Sequence, residues 1–526
     1  MAINRRDLLK SLATIPVLGA FGFIFNWDYN IYKNEKARKE KFISNLNINP
    51  KYPPEPLPLK GDPIKVGVIG TGTRGAQLLK ALGFMHPETL ERWKKHQPAR
   101  YQEFMEQEKL NIKVTAICDL FDYEANRAIE TVGHYDEKPR RYKTYQDLID
   151  KSGVDAVVIA TADLWHAPIA IAAARAGKHI YIEKPLTHKV NELYELREVV
   201  NNAGITFQLG HQHRQHQSNY TARDLLNKNV AGHMNLIQTN TNRNSDNGAW
   251  QYSMYPDQPD SSIDWEQYIN GYYDIPLNRE YFFRWRKYWK FGSGLTGDLL
   301  THEYDRLNFI TGMGIPDSVN ASGGIYTHRD GRNVPDVMQV SMEFPEYFKG
   351  TNQERGKVKG MSFFYSASLG NQYKRETLLM GHDGTIELGN DLALWIDKNS
   401  TRYQEELEKG IVSPDTPIIG LTGENGKIDA STSATAQYFA NKGLLYDYRE
   451  GKRVDITHLH MKEWLSCIGS GKNPSCPMDV GFEEAISAIM ATLAYKTGKK
   501  VTWNKSDEKI IIPDLSNPDL DKLLIS

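Results

Sequence analysis

Six residues, Gly70-Thr71-Gly72-Thr73-Arg74-Gly75, constrain this chain more than any other part of it. They follow the β-branched run Ile64-Lys65-Val66-Gly67-Val68-Ile69 and precede the helical pattern Ala76-Gln77-Leu78-Leu79-Lys80-Ala81-Leu82. A short, nearly continuous apolar run reads as a buried parallel strand. A G-x-G-x-x-G turn between such a strand and a helix lets the backbone approach a pyrophosphate, which the helix N-terminus then faces. The expectation is a dinucleotide-binding, doubly wound α/β domain of Rossmann type. Gly70, Gly72, Thr73, Arg74 and Gly75 are its first cofactor-facing positions.

The next strand, Val114-Thr115-Ala116-Ile117-Cys118, ends at Asp119. A carboxylate there accepts hydrogen bonds from ribose hydroxyls and repels a 2′-phosphate, which favours NAD over NADP. It could also simply cap the following segment. The usual interval from the last glycine to this acid is about 20 residues, and here it is far longer. Phe84 to Asn111 is charged and helix-prone, so it reads as an inserted helical excursion. Further buried strands lie at Asp155–Thr161, Gly177–Ile182 and Ile205–Gly210, alternating with helical patterns. Ligands bind such sheets at the carboxyl ends of the strands. That rule places Thr161, Trp165, His166, Glu183 and Lys184 at the cleft.

At 526 residues the chain has room for two to four domains of roughly 150 residues each. The pattern divides it into residues 1–25 as a signal or anchor and 26–60 as a polar, Pro-rich linker. Residues 61–215 form the dinucleotide domain, 216–505 a substrate and oligomerisation domain, and 506–526 a tail. Net charge is −1, from 64 basic and 65 acidic residues, so no nucleic-acid partner is expected. The 28 Tyr and 10 Trp hint at stacking on sugar rings, although packing explains any single one. Arg5-Arg6 ahead of the apolar stretch Ser11 to Phe25 has the form of a Tat export signal, the alternative being a buried helix. The stretch is shorter than the ~20 apolar residues of an ordinary membrane span. With no clear cleavage site, it could remain as an anchor. Of the three cysteines, Cys118 sits in an apolar run, whereas Cys467 and Cys476 flank a turn and could pair if the protein is exported.

Gly70-x-Gly72-x-Arg74-Gly75, Asp119, Thr161-Ala162-Asp163-x-Trp165-His166, Glu183-Lys184-Pro185 and Asp298-x-x-x-His302 together resemble the Gfo/Idh/MocA oxidoreductases. The resemblance implies a second, α/β domain whose open, largely antiparallel sheet carries the substrate site and often a dimer interface, hence a homo-oligomer. It places Lys184 beside the nicotinamide and substrate, where an ammonium stabilises developing negative charge. The alternative for Lys184 is a solvent-facing Glu-Lys pair. Members of the family often have a cis peptide at the following proline. Asp298 and His302 are i,i+4 and would share one helix face. The resemblance makes His302 the group that takes the hydroxyl proton, with Asp298 holding the ring or the substrate. The alternative is a packed helical His and an Asp near the helix start. Leu300 stands where the family often has glycine, and Ser293 interrupts a glycine triplet, so the shape of the substrate site departs from the usual one.

Two further segments are candidates for substrate contact. His211, His213 and Arg214 follow the last Rossmann strand, and Trp285 and Arg286 precede the glycine run at Gly292. Their alternatives are core packing and a solvated basic edge. H-x-H alone does not specify a metal site, and none is expected. The strand-rich segments His233–Arg243, Val337–Phe344, Gly360–Ser368 and Glu376–Leu388 supply scaffold, with helices near Ile456–Ile468 and Gly481–Thr497 and a polar insertion at 398–455. The resulting expectation is an NAD-dependent oxidoreductase acting on a sugar or glycoside hydroxyl, with its NAD tightly held and recycled. The alternatives are an NAD-dependent glycosidase working by transient oxidation and elimination, and a non-catalytic dinucleotide-containing binding protein.

Overall fold

Strand β1 (Ile64–Ile69) is the centre of the first sheet, and its last four residues are buried. Around it lie β2 (Ile112–Cys118), β3 (Arg140–Tyr142), β4 (Ala156–Ile159), β5 (His179–Ile182) and β6 (Phe207–Leu209). Their order is β3-β2-β1-β4-β5-β6, all parallel. Parallel strands covered by helices on both faces must be apolar on both faces, and all four residues of β4 are buried. The order reverses between β1 and β4, which opens the crevice where a doubly wound sheet binds its ligand. The computed structural model describes residues 37–52, 61–347, 360–373, 375–389, 391–422, 446–449, 452–515 and 518–526. The twin-arginine segment lies outside the described residues. Among them, no helix is long and apolar enough to cross a membrane.

The glycine turn joins β1 to the helix Thr73–Ala81. Gly70 has φ +86°, and a Cβ there would stand 2.5 Å from the carbonyl oxygen of Ala160, just past β4. Gly70→Ala therefore forces either the turn or β4 to shift. The expected cost is about 1–3 kcal/mol, seen as a lower thermal unfolding midpoint and weaker dinucleotide binding. An unchanged midpoint would count against so tight a turn. The inserted excursion is helical, at Pro87–His96 and Pro98–Met105, and closes on its own apolar cluster of Met85, Trp93 and Phe104.

The second sheet contains β7 (Met234–Asn242), β8 (Ser318–Gly324), β9 (Val337–Phe344), β10 (Met361–Ser368), β11 (Thr377–Gly381), β12 (Gly384–Leu388), β13 (Asp391–Ile396) and β14 (Ile419–Thr422). A two-stranded ribbon, β15 (Tyr446–Arg449) with β16 (Lys452–Asp455), stands apart, and β17 (Val501–Asn504) and β18 (Lys509–Ile511) complete the larger sheet. Its order is β14-β13-β12-β11-β7-β10-β9-β8-β17-β18. Among the described residues, only β7 and β10 pair in parallel; the other pairings are antiparallel. Along β10, buried and half-buried residues alternate, so one face meets the core and the other stays open. The helix Met478–Thr497 lies between the two halves and packs on both β8 and the Rossmann helix Val190–Ala203.

Three expectations change here. The polar stretch before Ile64 is not wholly a linker: residues 37–45 are helical, and Phe42 is buried edge-on against Tyr403 at 5.5 Å. The C-terminal tail is packed: β18 pairs with β17, and Leu524 is buried. Cys467 and Cys476 are free, buried thiols, and Cys476 points at Asp305 rather than at Cys467. Of the polar insertion, 423–445 and 450–451 lie outside the described residues.

Candidate active site

At the carboxyl ends of the first sheet a cleft of about 530 Å³ runs from Gly72 to Lys184 and His302. The glycine turn builds one end of it. A Cβ on Gly72 would meet nothing within 4 Å, so this glycine keeps open space that the protein's own atoms do not need. The first turn of the helix after it carries no side-chain cap. Its N–H groups are therefore available to an anion. These features fit a dinucleotide pyrophosphate.

Asp119 lines the same cleft. Its Oδ2 accepts from Thr71 N at 2.6 Å and Thr71 Oγ1 at 3.1 Å, and its Oδ1 accepts from Phe121 N at 2.8 Å. Burial pushes the carboxyl up, against these donors. The residue thus fastens the turn as well as presenting lone pairs to a ligand. Thr73, Thr161 and Trp165 also line the cleft, and Trp165 Nε1 is fixed on Tyr268 O at 2.9 Å. Arg74 reaches across it: Nε pairs with Glu183 Oε1 at 2.7 Å, and Nη2 donates to Gln212 at 3.2 Å. His166 faces Pro185 O at 2.6 Å and Thr161 O at 3.2 Å with its two ring nitrogens. It braces the turn that carries Lys184, where the Lys184–Pro185 peptide is cis.

Lys184 and Asp298 form the core of the site, both buried. Lys184 Nζ donates to Asp298 O at 2.7 Å and to Asp298 Oδ1 at 2.9 Å. An ammonium has three donors, so this arrangement leaves one N–H for a ligand. Trp250 Nε1 donates to Asp298 Oδ2 at 2.9 Å, and Arg286 Nε to Oδ1 at 3.2 Å. Burial pushes the Asp298 carboxyl up, but Lys184, Arg286 and Arg243 outweigh it and hold it well below the usual carboxylate range. Arg286 also lies over the Trp285 ring at 4.0 Å, and both side chains line the cleft.

Asp298 lies in a π-helical turn, Thr296–Leu300, which hands over to the α-helix Thr301–Thr311 carrying His302. The expected unbroken α-helix from Asp298 to His302 is corrected accordingly. A π turn inserts an extra residue and rotates the side chains before it, and such turns are frequent at functional sites. Asp298 is thereby directed at Lys184, Trp250 and Arg286 rather than serving as a brace for the imidazole. His302 is buried and reaches the cleft. Burial lowers its affinity for a proton well below that of an ordinary histidine, helped by Lys184, His213, His211 and Arg74. Both effects favour the neutral imidazole. Ser293 links the glycine run to the Rossmann half: its N–H and hydroxyl donate to Asp163 Oδ2 at 2.9 and 2.6 Å.

The predicted substrate contacts divide. Trp285 and Arg286 are at the cleft. His211, His213 and Arg214 are not, which corrects their expected role. Arg214 is buried and donates to both carboxylate oxygens of Asp305 at 2.6–3.0 Å and to Ser475 O at 2.8 Å. His211 stands between Asp305 and Glu484, and His213 packs beside His302 with ring centroids 5.4 Å apart. A 3-10 turn at Gln212–Gln215 sends Gln212 into the cleft and its neighbours inward. Gln212, Trp250 and Tyr252 are the residues that sequence reasoning missed. Nothing local marks Trp250, which sits fully buried at φ +63°.

Comparison with known proteins agrees with this geometry. Residues 64–211 match the model of an oxidoreductase family with an NAD-binding Rossmann fold, and 268–503 match its C-terminal alpha/beta domain. The chain is 34% identical over 152 residues to glycosyl hydrolase family 109 protein 2 of Shewanella sp. (strain ANA-3), covering 28% of this chain and 27% of that protein. It is 32% identical over 204 residues to a glycosyl hydrolase family 109 protein of Shewanella baltica (strain OS195), covering 37% and 36%. The chain thus spans about a quarter to a third of the length of these curated relatives. Levoglucosan dehydrogenase, solved with NADH and levoglucosan, superposes with a TM-score of 0.52 at 16% identity, covering 86% of this chain and all of that one. The WlbA dehydrogenase from Bordetella pertussis, solved with NADH and UDP-GlcNAcA, gives 0.53 at 15% identity, covering 85% and 99%.

Proposed function

The chain belongs to the Gfo/Idh/MocA oxidoreductase family, and from that premise we propose that it oxidises a hydroxyl of a sugar or glycoside with NAD bound in its cleft. One observation carries the reading: a single cleft joins the open glycine turn at Gly72 to Lys184 and His302. Bound NAD supplies a hydride acceptor. His302, neutral and buried, takes the proton of the hydroxyl. Lys184, locked on Asp298, turns its remaining N–H toward the same oxygen and stabilises the charge that develops there. Trp285 with Arg286 forms a rigid aromatic–cation wall suited to a sugar ring.

The glycosyl hydrolase family 109 relatives favour a second reading. In it the same oxidation acidifies the neighbouring C–H, the aglycone leaves, water adds and the hydride returns. The purified protein should release NAD on denaturation, measured by absorbance. Incubation with a panel of aryl glycosides and free sugars then separates the readings. Aglycone release without net NADH identifies the glycosidase; a ketosugar or NADH identifies the dehydrogenase. A protein with NAD bound and neither activity overturns both and leaves the binding-protein alternative.

Asp119→Ala should weaken NAD binding by about ten- to a hundredfold, the value of a hydrogen bond to a charged group, and erode the preference over NADP. Titration with each dinucleotide measures this, and an unchanged preference removes Asp119 from cofactor selection. We further propose Tat export, supported by Arg5-Arg6 and the apolar stretch after it, with that stretch retained as an anchor. Cell fractionation tests both. Assembly as a homo-oligomer through the open face of the larger sheet is a third proposal, supported by the alternating burial of β10 and tested by light scattering.

A further inference from the structure

Beside Asp119 the cleft is walled by two parts of the chain that lie far apart in sequence. Phe121 and Glu124 come from the end of β2 and the helix Asp122–Gly133, whereas Tyr255 and Phe283 come from the long segment between β7 and the π turn. That segment is tied to the Rossmann half at this point. Asp264 N donates to Leu120 O at 2.8 Å, and Ile263 pairs with Phe121 as an isolated antiparallel bridge. The Phe121 ring stands edge-on to Tyr255 and to Phe283, at 5.2 Å in each case. Tyr255 has a left-handed backbone, φ +50°. Arg279 fixes it there, donating to Tyr255 O at 2.6 Å, to Met254 O and to Asp260 Oδ1 at 2.7 Å. Backbone strain of this kind persists where surroundings impose it and clusters at ligand sites. The Tyr255 hydroxyl donates to Glu124 Oε1 at 2.6 Å. Among the described residues nothing donates to Glu124 Oε2, and Arg127, three residues on, is directed at Glu88 instead.

Asp119 is the ribose-binding position, and adenine is carried on that same ribose, so this part of the cleft receives the base. A purine is a flat ring with a polar edge. Aromatic walls suit its faces, and a carboxylate oxygen without a donor suits an edge that carries N–H groups. We propose that Glu124 reads the base of the cofactor: its Oε2 accepts from the exocyclic amino group of adenine, while Tyr255 pins its Oε1. This rests on Asp119 as the ribose site. The pinning sets the selectivity. Hypoxanthine has a carbonyl oxygen where adenine has the amino group, and a ring N–H beside it. A carboxylate free to move would slide to that N–H. One held by Tyr255 meets the oxygen instead, acceptor against acceptor, which costs binding. Two distant parts of the chain thus share the base, and the segment that supplies Tyr255 runs on to Trp285, Arg286 and Asp298 at the reacting end.

Titration of the full-length protein, its nucleotide first removed with charcoal, compares NAD with nicotinamide hypoxanthine dinucleotide. Burial raises the proton affinity of Glu124, against the Tyr255 hydrogen bond, so the comparison is made at pH 8, which favours the carboxylate. The expected result is NAD binding at least about tenfold tighter, the lower range for a hydrogen bond to a charged group. Glu124→Gln should bring the two affinities together, because an amide donates to the oxygen as readily as it accepts from the amino group. Tyr255→Phe keeps the ring, frees the carboxylate and should also narrow the ratio. Equal binding of the two dinucleotides by the wild type overturns the proposal, and so does a wild-type ratio in folded Glu124→Gln. If Glu124→Gln does not fold, Tyr255→Phe decides, and an unchanged ratio there overturns it. Asp119→Ala tests the premise separately, since it should weaken both dinucleotides alike and leave their ratio intact. Unchanged affinities in Asp119→Ala overturn the ribose site and the proposal with it. Weakened affinities there, with no wild-type preference for adenine, overturn the proposal alone.

Discussion

His302→Ala is expected to lower turnover by about 10²–10⁴-fold, the range for losing a positioned general base, while the chain keeps its NAD. Cofactor content, measured on the same variant, is the control. The electrostatics add a second signature. Burial, then Lys184, His213, His211 and Arg74, all disfavour the imidazolium. A base works in its neutral form, so activity is present above its folded pKa and is lost as pH falls through it. Because that pKa is lowered, the acid limb of kcat/KM should lie below the ordinary histidine range. His302→Gln preserves most of the volume and should show the same loss with a smaller change in stability. Undiminished turnover in both variants would remove His302 from the chemistry.

The sequence made the Rossmann half legible because its signals are local. The glycine turn, the apolar strand runs and the Lys-Pro step each lie within a few residues, and the turn and the Lys-Pro step follow the carboxyl ends of β1 and β5. The failures are equally specific. Arg214 looked free to meet a substrate because its partner, Asp305, is 91 positions away. The charge that neutralises it is set by how two domains pack. Asp298 and His302 were read on an α-helical wheel, and a one-residue π insertion invalidates the wheel without altering composition. Trp250 reaches Asp298 from a left-handed backbone position that a tryptophan rarely adopts. Strain of this kind persists where surrounding structure imposes it, and it has no signature in the residue type. Phe42 sits in a stretch whose composition is that of a linker, yet Phe42, Ile43, Leu46 and Ile48 dock it on the core.

Asp298→Ala is expected to damage both stability and turnover, and its partners say why. The carboxylate accepts from Lys184, Trp250 and Arg286 in a buried setting. Removing it leaves the Lys184 ammonium with the backbone carbonyl of residue 298 but no counter-charge, and breaking a buried pair by deleting one partner costs about 3–5 kcal/mol. Thermal unfolding should therefore move to clearly lower temperature. Turnover should fall as well, because an ammonium held by one acceptor instead of two no longer aims one N–H at the substrate oxygen. The two effects separate in the double variant Lys184→Met with Asp298→Leu. Apolar side chains of similar volume remove this pair, so part of the lost stability should return, while Arg286 and Trp250 stay without their acceptor. Turnover should not return, because the group that polarised the oxygen is gone. A single variant with a wild-type unfolding midpoint would show that Asp298 is not the counter-charge of Lys184. A double variant that regains turnover would show that the pair only supports the fold, and the chemistry would then have to rest on His302 and the cofactor alone.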